Sequence, residues 1–406
     1  MKDTDLFQKA LGLCSPGFVE ADEFDLAKKL LTIKINFTKG GHFTCPECGR
    51  EDCLVYDTQQ HKWRHLNFFQ HECYLEARVP RIECPKCGVR LVAVPWARPH
   101  CKFTLLFEAL AMALMKQMPV HAASRIVREH DTRLWRVLIH YVETARKKLD
   151  FSSVVAVGMD ETSSRRGHDY VTLFVDLATR RVMFATAGKD ANTLIQFKID
   201  LLQHNSDGDP VRDIACDMSA AFLKGIQSDF PQARVTFDRF HVVKLVNEAV
   251  DQVRREEQRD KPELLKKTRY AWLTNPAHQT AKQAEQIHQL LLDKYNLKTA
   301  RAYRLGLNFQ EFWHQLPANA EAFLKQWCWR ARHSPLVPIK ELAATIKNHW
   351  RGILNWFQTG YNTGVMEGIN SIVQAAKARA RGFRSNRHFI AMIYLIGGKL
   401  DLSLPT

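Results

Sequence analysis

Hydrophobic and polar positions change period several times along this chain. A short helical lead-in is followed by Leu31-Thr32-Ile33-Lys34-Ile35-Asn36-Phe37, whose alternation predicts a strand with one buried face. Residues 41–101 show little helical period. From Thr104 the apolar residues recur every three or four positions. This predicts a helix over 104–118 capped by Thr104, a second over 120–129 opened by Pro119, and a third opened by Asp131 that carries Leu134, Trp135, Leu138 and Tyr141. Strand-like runs are predicted at 154–159, 170–176, 181–187, 214–217 and 234–238, with a helix over 190–203. From residue 241 to about 360 the pattern is almost wholly helical. There is no internal repeat and no low-complexity linker.

Two of these patterns predict supersecondary structure. Three short helices with a tight second turn suggest a helix-turn-helix whose third helix enters a major groove, bringing Arg133 and Arg136 near DNA. The turn Arg128-Glu129-His130 lacks the glycine such turns often use, and a plain helical linker is the competing reading. Three strands, a helix, a strand and a further strand form the order of a ribonuclease H-like sheet.

Charge narrows the partner. Lys and Arg exceed Asp and Glu by 58 to 43 across 406 residues, a formal +15, with an isoelectric point near 9.4. Such an excess points to a polyanion, most often nucleic acid, without separating DNA from RNA or from an anionic membrane surface. No stretch approaches the roughly 20 apolar residues of a membrane span. The first residues are acidic and lack the apolar core of a secretion signal, so the expected location is cytoplasmic with no membrane partner. Ten cysteines in that compartment imply metal ligands sooner than disulfides.

Four of them fall in two matching knuckles, Cys45-Pro46-Glu47-Cys48-Gly49 and Cys84-Pro85-Lys86-Cys87-Gly88. Each C-x-x-C turn aims two thiolates at one point, and the glycine after it frees backbone amides to bend toward sulfur. Cys45, Cys48, Cys84 and Cys87 are thus expected to hold a structural Zn²⁺. A redox pair is the alternative, and the duplication argues against it. Cys53, Cys73, Cys101, His61, His65, His71 and His100 leave a second ion open. Trp63, Arg64, Arg78 and Arg81, between the knuckles, are readable as DNA contacts or as a solvated face of the ribbon.

Carboxylates supply the chemistry. Asp160 and Asp217 each end an apolar run, and Glu367 opens a helical stretch. Phosphoryl transfer by two Mg²⁺ or Mn²⁺ ions about 4 Å apart needs such a cluster. Glu367, Asn370, Gln374 and Lys377 form one polar stripe opposite Ile369, Ile372, Val373, Ala376 and Ala380, so the glutamate faces away from its helix's buried side. Asp238 and His241 form an Asp-x-x-His pair readable as an accessory group or as a helix cap with a first-turn histidine. Asp176, Asp209 and Asp213 are decoys at strand starts, strand ends or loops. Lys377, Arg379, Arg381, Arg384 and Arg387 follow the glutamate and suit DNA phosphates, or else a solvated helix end.

Together the two knuckles, Gly158-Met159-Asp160-Glu161, Cys216-Asp217-Met218-Ser219, Asp238-Arg239-Phe240-His241-Val242-Val243-Lys244 and Asn362-Thr363-Gly364-Val365-Met366-Glu367-Gly368-Ile369-Asn370 resemble the DDE transposases of bacterial insertion sequences, of the ISL3 family. The resemblance spans essentially the whole chain. It implies a multidomain α+β protein with a lead-in (1–40), an N-terminal zinc ribbon (41–101), a helix-turn-helix (102–149) and a ribonuclease H-like α/β catalytic core (150–248 and 361–406) interrupted by an all-helical insertion (249–360). It also implies Asp160, Asp217 and Glu367 as the catalytic triad holding the cations. The substrates would be double-stranded DNA, both terminal inverted repeats and target, cut and joined by at least a homodimer. The insertion would contact DNA near the end, in some relatives through an aromatic side chain; Trp313, Trp327, Trp329, Trp350 and Trp356 are candidates, with core packing as the alternative for most of them. A structure-selective metal-dependent nuclease and a DNA-binding regulator are the alternative functions.

Overall fold

The computed structural model describes residues 3–165, 167, 169–292, 295–361 and 364–404, in two compact units, 146–400 and the remainder. Asn362 and Thr363 of the last motif lie outside the described residues.

The first unit opens with α1 (Asp3–Ala10) and a sheet of β1 (Gly17–Asp25), β2 (Leu30–Phe37), β3 (Val55–Phe68), β4 (His71–Cys84) and β5 (Gly88–Leu91). The order is β1-β2-β4-β3 with β5 on β4, and only the β2–β4 pairing is parallel. Alternation builds its core: His71, Cys73, Leu75, Ala77 and Val79 of β4 turn inward against Leu31, Ile33 and Ile35 of β2. β1 escaped the sequence reading because it buries only Val19, leaving no apolar rhythm, and its place rests on backbone pairing with β2. Trp63 and Arg64 are buried, so neither forms a DNA-facing or solvated surface. The Arg64 guanidinium donates to the carbonyls of His65 (2.5 Å) and Cys73 (3.2 Å), and lies 4.0 Å from both Glu72 and Glu129.

Three helices follow, α2 (Leu105–Gln117), α3 (Val120–Val127) and α4 (Asp131–Arg146). Thr104 caps α2, its hydroxyl accepting from the Phe107 amide at 3.3 Å. The turn between α3 and α4 manages without glycine because Arg128 itself takes the left-handed conformation, φ 56° and ψ 44°. That costs about 1–2 kcal/mol. Leu134, Val137, Leu138, Tyr141 and Val142 bury one side of α4, leaving Thr132 and Arg136 exposed. Buried Glu108 of α2 takes two 2.7 Å bonds from Arg98, one of 3.0 Å from Tyr141 and one of 2.8 Å from the Cys101 thiol, so its charge is fully partnered.

The second unit is built on β6 (Ala156–Ser163), β7 (Tyr170–Asp176), β8 (Arg181–Ala187), β9 (Asp213–Cys216) and β10 (Arg234–Phe237), in the order β10-β9-β6-β7-β8. β6, β7 and β8 form an antiparallel meander, while β9 runs parallel to both β6 and β10. The strands bury apolar side chains nearly continuously, as two covered faces require. α5 (Asn192–Gln203) leads into β9, and α6 (Ala220–Asp229), absent from the sequence reading, links β9 to β10. A chain of helices then follows: α7 (Arg239–Asp260), α8 (Pro262–Leu265), α9 (Arg269–Leu273), α10 (Ala281–Leu290), α11 (Lys298–Gln310), α12 (Pro317–Arg332), α13 (Val337–Asn348), α14 (Trp350–Leu354) and α15 (Trp356–Thr359). The unit closes with α16 (Gly364–Arg379) and α17 (Asn386–Gly397).

α16 approaches β6 at Gly158, where a Cβ would stand 2.8 Å from both Met366 Sδ and Leu177 Cδ2. Gly158→Ala is therefore expected to push the helix off the strand and lower stability by about 1–3 kcal/mol, the usual penalty of overpacking. Urea unfolding of the variant beside the parent measures it; an unchanged midpoint would mean the helix is not held that closely.

Candidate active site and metal centre

Three adjacent strands deliver the acidic residues. β9 pairs with β6 only as far as Gly158, so Asp160 stands just past the end of that pairing, in a strand that its other neighbour β7 carries on to Ser163. Asp160 is therefore inside β6 and not at its end, a correction to the predicted strand boundary. Asp217 follows the last residue of β9, and Asp238 the last residue of β10, with Cys216 and Phe237 in register. Carboxyl ends of parallel strands are where open α/β sheets place ligands. A cleft of about 340 Å³ lies there, lined by Asp160, Asp217, Asp238, Phe240, His241, Glu367, Asn370, Ser371 and Gln374 among others. The structure thus brings together Asp160, Asp217 and Glu367 with the Asp238/His241 pair.

Each aspartate is oriented by nearby N–H donors. Asp160 Oδ1 accepts from the Glu161 amide at 2.7 Å and its Oδ2 from Asn370 Nδ2 at 2.5 Å. Asp217 Oδ1 accepts from the Ser219 amide at 2.9 Å. Asp238 caps α7 through the Phe240 amide at 3.0 Å, so the capping reading holds and the same residue also lines the cleft. Its Oδ2 lies 3.2 Å from His241 Nδ1, an ion-pair distance off the line of an ideal hydrogen bond. Burial pushes the Asp160 carboxyl up to about 6, with Asp217 and Asp238 adding to the rise and the Glu161 amide and His241 opposing it. His241 is raised by its pairing with Asp238 against the cost of burial.

Other expected residues find different settings. Lys377 Nζ donates to the Ser163 carbonyl and is half-buried, whereas Arg379, Arg381 and Arg384 are exposed. Arg136 is exposed; Arg133 packs over the Phe103 ring at 4.3 Å and pairs with Glu129. Asp176 bonds within its own turn, to Ala178 N at 3.0 Å and to Thr179, and Asp213 pairs with Arg234 at 2.7 Å. Trp313 and Trp327 are core residues, Trp350 and Trp356 half-buried, and Trp329 is exposed. Asn370 was seen in the sequence only as a member of a polar stripe; the signal available was its place one helical turn after Glu367.

The four knuckle cysteines offer sulfurs that all lie within 4.8 Å of one another, the one group of three or more such ligands gathered so closely among the described residues. The cleft carboxylates are not drawn together that tightly. Gly49 (φ 72°) and Gly88 (φ 73°) take the left-handed conformation that turns each knuckle back on itself. Amides of Cys87 and Lys86 point at the Cys84 sulfur and pull its thiol down to about 6, while Cys87, crowded by Cys48, Cys45 and Cys84, moves the other way. Four soft donors, one already inclined to ionise, suit a structural zinc ion. Cys53 shares the small core with Cys45, Cys84 and Ile82, and Cys101 is bound to Glu108.

Comparison with known proteins follows the same division. Residues 157–393 match a family described as Transposase, of ISL3 type. Residues 92–142 match the helix-turn-helix domain of transposase family ISL3, and 42–87 the zinc-finger of transposase IS204/IS1001/IS1096/IS1165. The transposase for insertion sequence element IS1001 of Bordetella parapertussis is 28% identical over 366 residues, 86% of this chain and 87% of that one. The transposase for insertion sequence element IS1557 of Mycobacterium tuberculosis is 27% identical over 381 residues, covering 86% and 85%. No helix among the described residues is long and apolar enough to cross a membrane.

Zinc in such a site contributes about 10–16 kcal/mol, at least as much as a whole domain's stability of about 5–15 kcal/mol. The purified protein is expected to carry one zinc per chain, and Cys87→Ser to lose it. Limited proteolysis should then cut the variant between residues 42 and 91 while leaving 146–400 protected. A zinc-free parent with the same protection pattern would rule out a structural ion.

Proposed function

The chain belongs to the ISL3 family of insertion-sequence DDE transposases, and from that membership we propose that Asp160, Asp217 and Glu367 catalyse metal-dependent cleavage and strand transfer at the element's ends. The observation that carries this reading is the convergence of these three carboxylates, one from within β6, one just past β9 and one from α16, on a single cleft. The order β10-β9-β6-β7-β8 supports a ribonuclease H-like core, with the helices across 249–360 as its helical insertion before the glutamate.

Mg²⁺ or Mn²⁺ fits the donor set. The cleft offers carboxylate and amide oxygens, hard ligands for hard cations. Burial drives Asp160 toward its neutral form, which a nearby cation reverses. When bound, two such ions activate an attacking oxygen and stabilise the leaving one. The remaining tasks fall to side chains. Asp160, Asp217 and Glu367 hold the cations. His241, favoured in its protonated form by Asp238, presents positive charge to a phosphate oxygen at the cleft wall. Arg379, Arg381 and Arg384 neutralise neighbouring phosphates, and Lys377 contributes if it leaves Ser163.

In the first step water attacks the phosphodiester at the element's end and a 3′-hydroxyl departs. In the second that hydroxyl attacks a target phosphodiester, one P–O bond forming as another breaks, so no external energy source is needed. The helix-turn-helix domain, through exposed Arg136 and α4, and the zinc-binding module bind the terminal inverted repeats. Joining two ends calls for at least a dimer.

The test is cleavage of labelled DNA bearing the element's terminal repeats, with Mg²⁺ or Mn²⁺, by the parent, Glu367→Gln and Asp217→Asn. The parent should nick at the repeat tip and join that end to target DNA. Both variants should bind the repeats normally and lose more than the roughly 100-fold that loss of an outer-shell partner produces. Cutting of branched DNA without joining would instead identify a nuclease. Binding with no cutting by the parent would overturn the catalytic assignment.

A further inference from the structure

The polar stripe of α16 is not a solvated face. Asn370 donates to Asp160, Gln374 Nε2 donates to Thr162 Oγ1 at 2.6 Å and to the Ser163 carbonyl at 3.1 Å, and Lys377 reaches the same carbonyl. The two elements are commensurate over this seam. Seven residues of helix, 370 to 377, advance about 10.5 Å. Three residues of strand, 160 to 163, advance about 10 Å. Each polar side chain of the helix therefore meets a partner on β6 without strain.

Asn370 differs from the other two. Gln374 and Lys377 bond a hydroxyl and a backbone carbonyl at the end of the strand, which fixes the helix mechanically. Asn370 bonds a carboxylate that lines the cleft, and together with the Glu161 amide it engages both oxygens of Asp160. The carboxylate dictates which way the amide points, because turning it over would set Oδ1 against Asp160 Oδ2. Oδ1 is consequently left buried with no hydrogen-bond partner among the described residues, in a side chain that lines the cleft. An orphaned carbonyl oxygen costs about 1–3 kcal/mol.

We propose that Asn370 is a positioning residue for the cation site: its Nδ2 fixes the Asp160 carboxylate in its ligating orientation, and its Oδ1 supplies a neutral oxygen acceptor to the bound cation's shell. This rests on the reading of Asp160, Asp217 and Glu367 as cation ligands. Nothing in it requires Asn370 to touch DNA.

The experiment uses full-length protein and Mn²⁺ alone as the probe, with the free-ion paramagnetic signal reporting binding. Thermal unfolding and affinity for a repeat-bearing duplex are measured in parallel. Asn370→Ala is expected to weaken Mn²⁺ binding about 10–100-fold, the usual effect of losing a group that orients a ligand. Its DNA affinity should match the parent's, and its cleavage should recover in part at higher Mn²⁺. Gln374→Ala, which removes bonds to Thr162 and Ser163 and none to a carboxylate, should lower the melting temperature and weaken Mn²⁺ binding less than Asn370→Ala does. Asn370→Asp sets a second carboxylate beside Asp160. Its melting temperature should fall without cation and rise with Mn²⁺ by more than the parent's does. Parental Mn²⁺ affinity in folded Asn370→Ala, or a parental Mn²⁺ response in Asn370→Asp, overturns this inference alone. A parent that takes up no Mn²⁺ overturns the carboxylate reading and this inference with it.

Discussion

Carboxylates brought into one cleft by neighbouring strands repel one another, and the second unit is organised around tolerating that. Asp160, Asp217 and Asp238 enter one cleft from β6, β9 and β10, the first of them largely withdrawn from water. Each is met by an N–H: Glu161 and Asn370 for Asp160, Ser219 for Asp217, Phe240 for Asp238. Hydrogen bonds to an ionised group are worth about 1.5–3 kcal/mol, enough to offset part of the repulsion and none of the need for positive charge. His241, when protonated, supplies some from within the chain, and the divalent cations proposed for this cleft would supply the rest.

Topology decides which residues share this burden. β9 stops pairing with β6 at Gly158, two residues before Asp160, and that early stop opens the edge where the carboxylates meet. The helix that brings Glu367 comes from more than a hundred residues later in the chain and needs its own means of registry. Gly158 permits the close approach, Met366 fills it, and the bonds from Asn370, Gln374 and Lys377 fix the helix along the strand. A small error in this seam would carry the glutamate away from its partners, and geometric error at such sites is costly.

Much of this was legible in advance because the signals were local. Asp160 and Asp217 stood at the ends of apolar runs, the cysteine knuckles announced their turns, and Thr104 and Asp238 had the chemistry of caps. β1 was not legible, since backbone pairing leaves no mark on hydropathy. Nor was α6, ten residues between two short strands. The burial of Arg64 was hidden because its partners, the carbonyls of His65 and Cys73 and the nearby Glu72 and Glu129, include groups that only the tertiary fold brings to it. The Arg128 turn shows the same limit: a residue in the left-handed conformation can stand where glycine is expected when the helices around it pack well enough to sustain the strain.

The polar stripe of α16 shows why amphipathicity alone misleads. A helix with one apolar and one polar face is ordinarily read as half-buried, its polar side toward water. Here Ile369 and Val373 are buried among apolar neighbours, while Asn370, Gln374 and Lys377 form a second interface made of hydrogen bonds. Period cannot separate the two cases, because water and a strand edge ask for the same residue types. What separates them is donor chemistry: a stripe meant for solvent tolerates any polar residue, whereas one laid against carboxylate, hydroxyl and carbonyl oxygens needs donors. Asparagine, glutamine and lysine meet that requirement in succession, and the seam ends where Arg379, Arg381 and Arg384 become exposed.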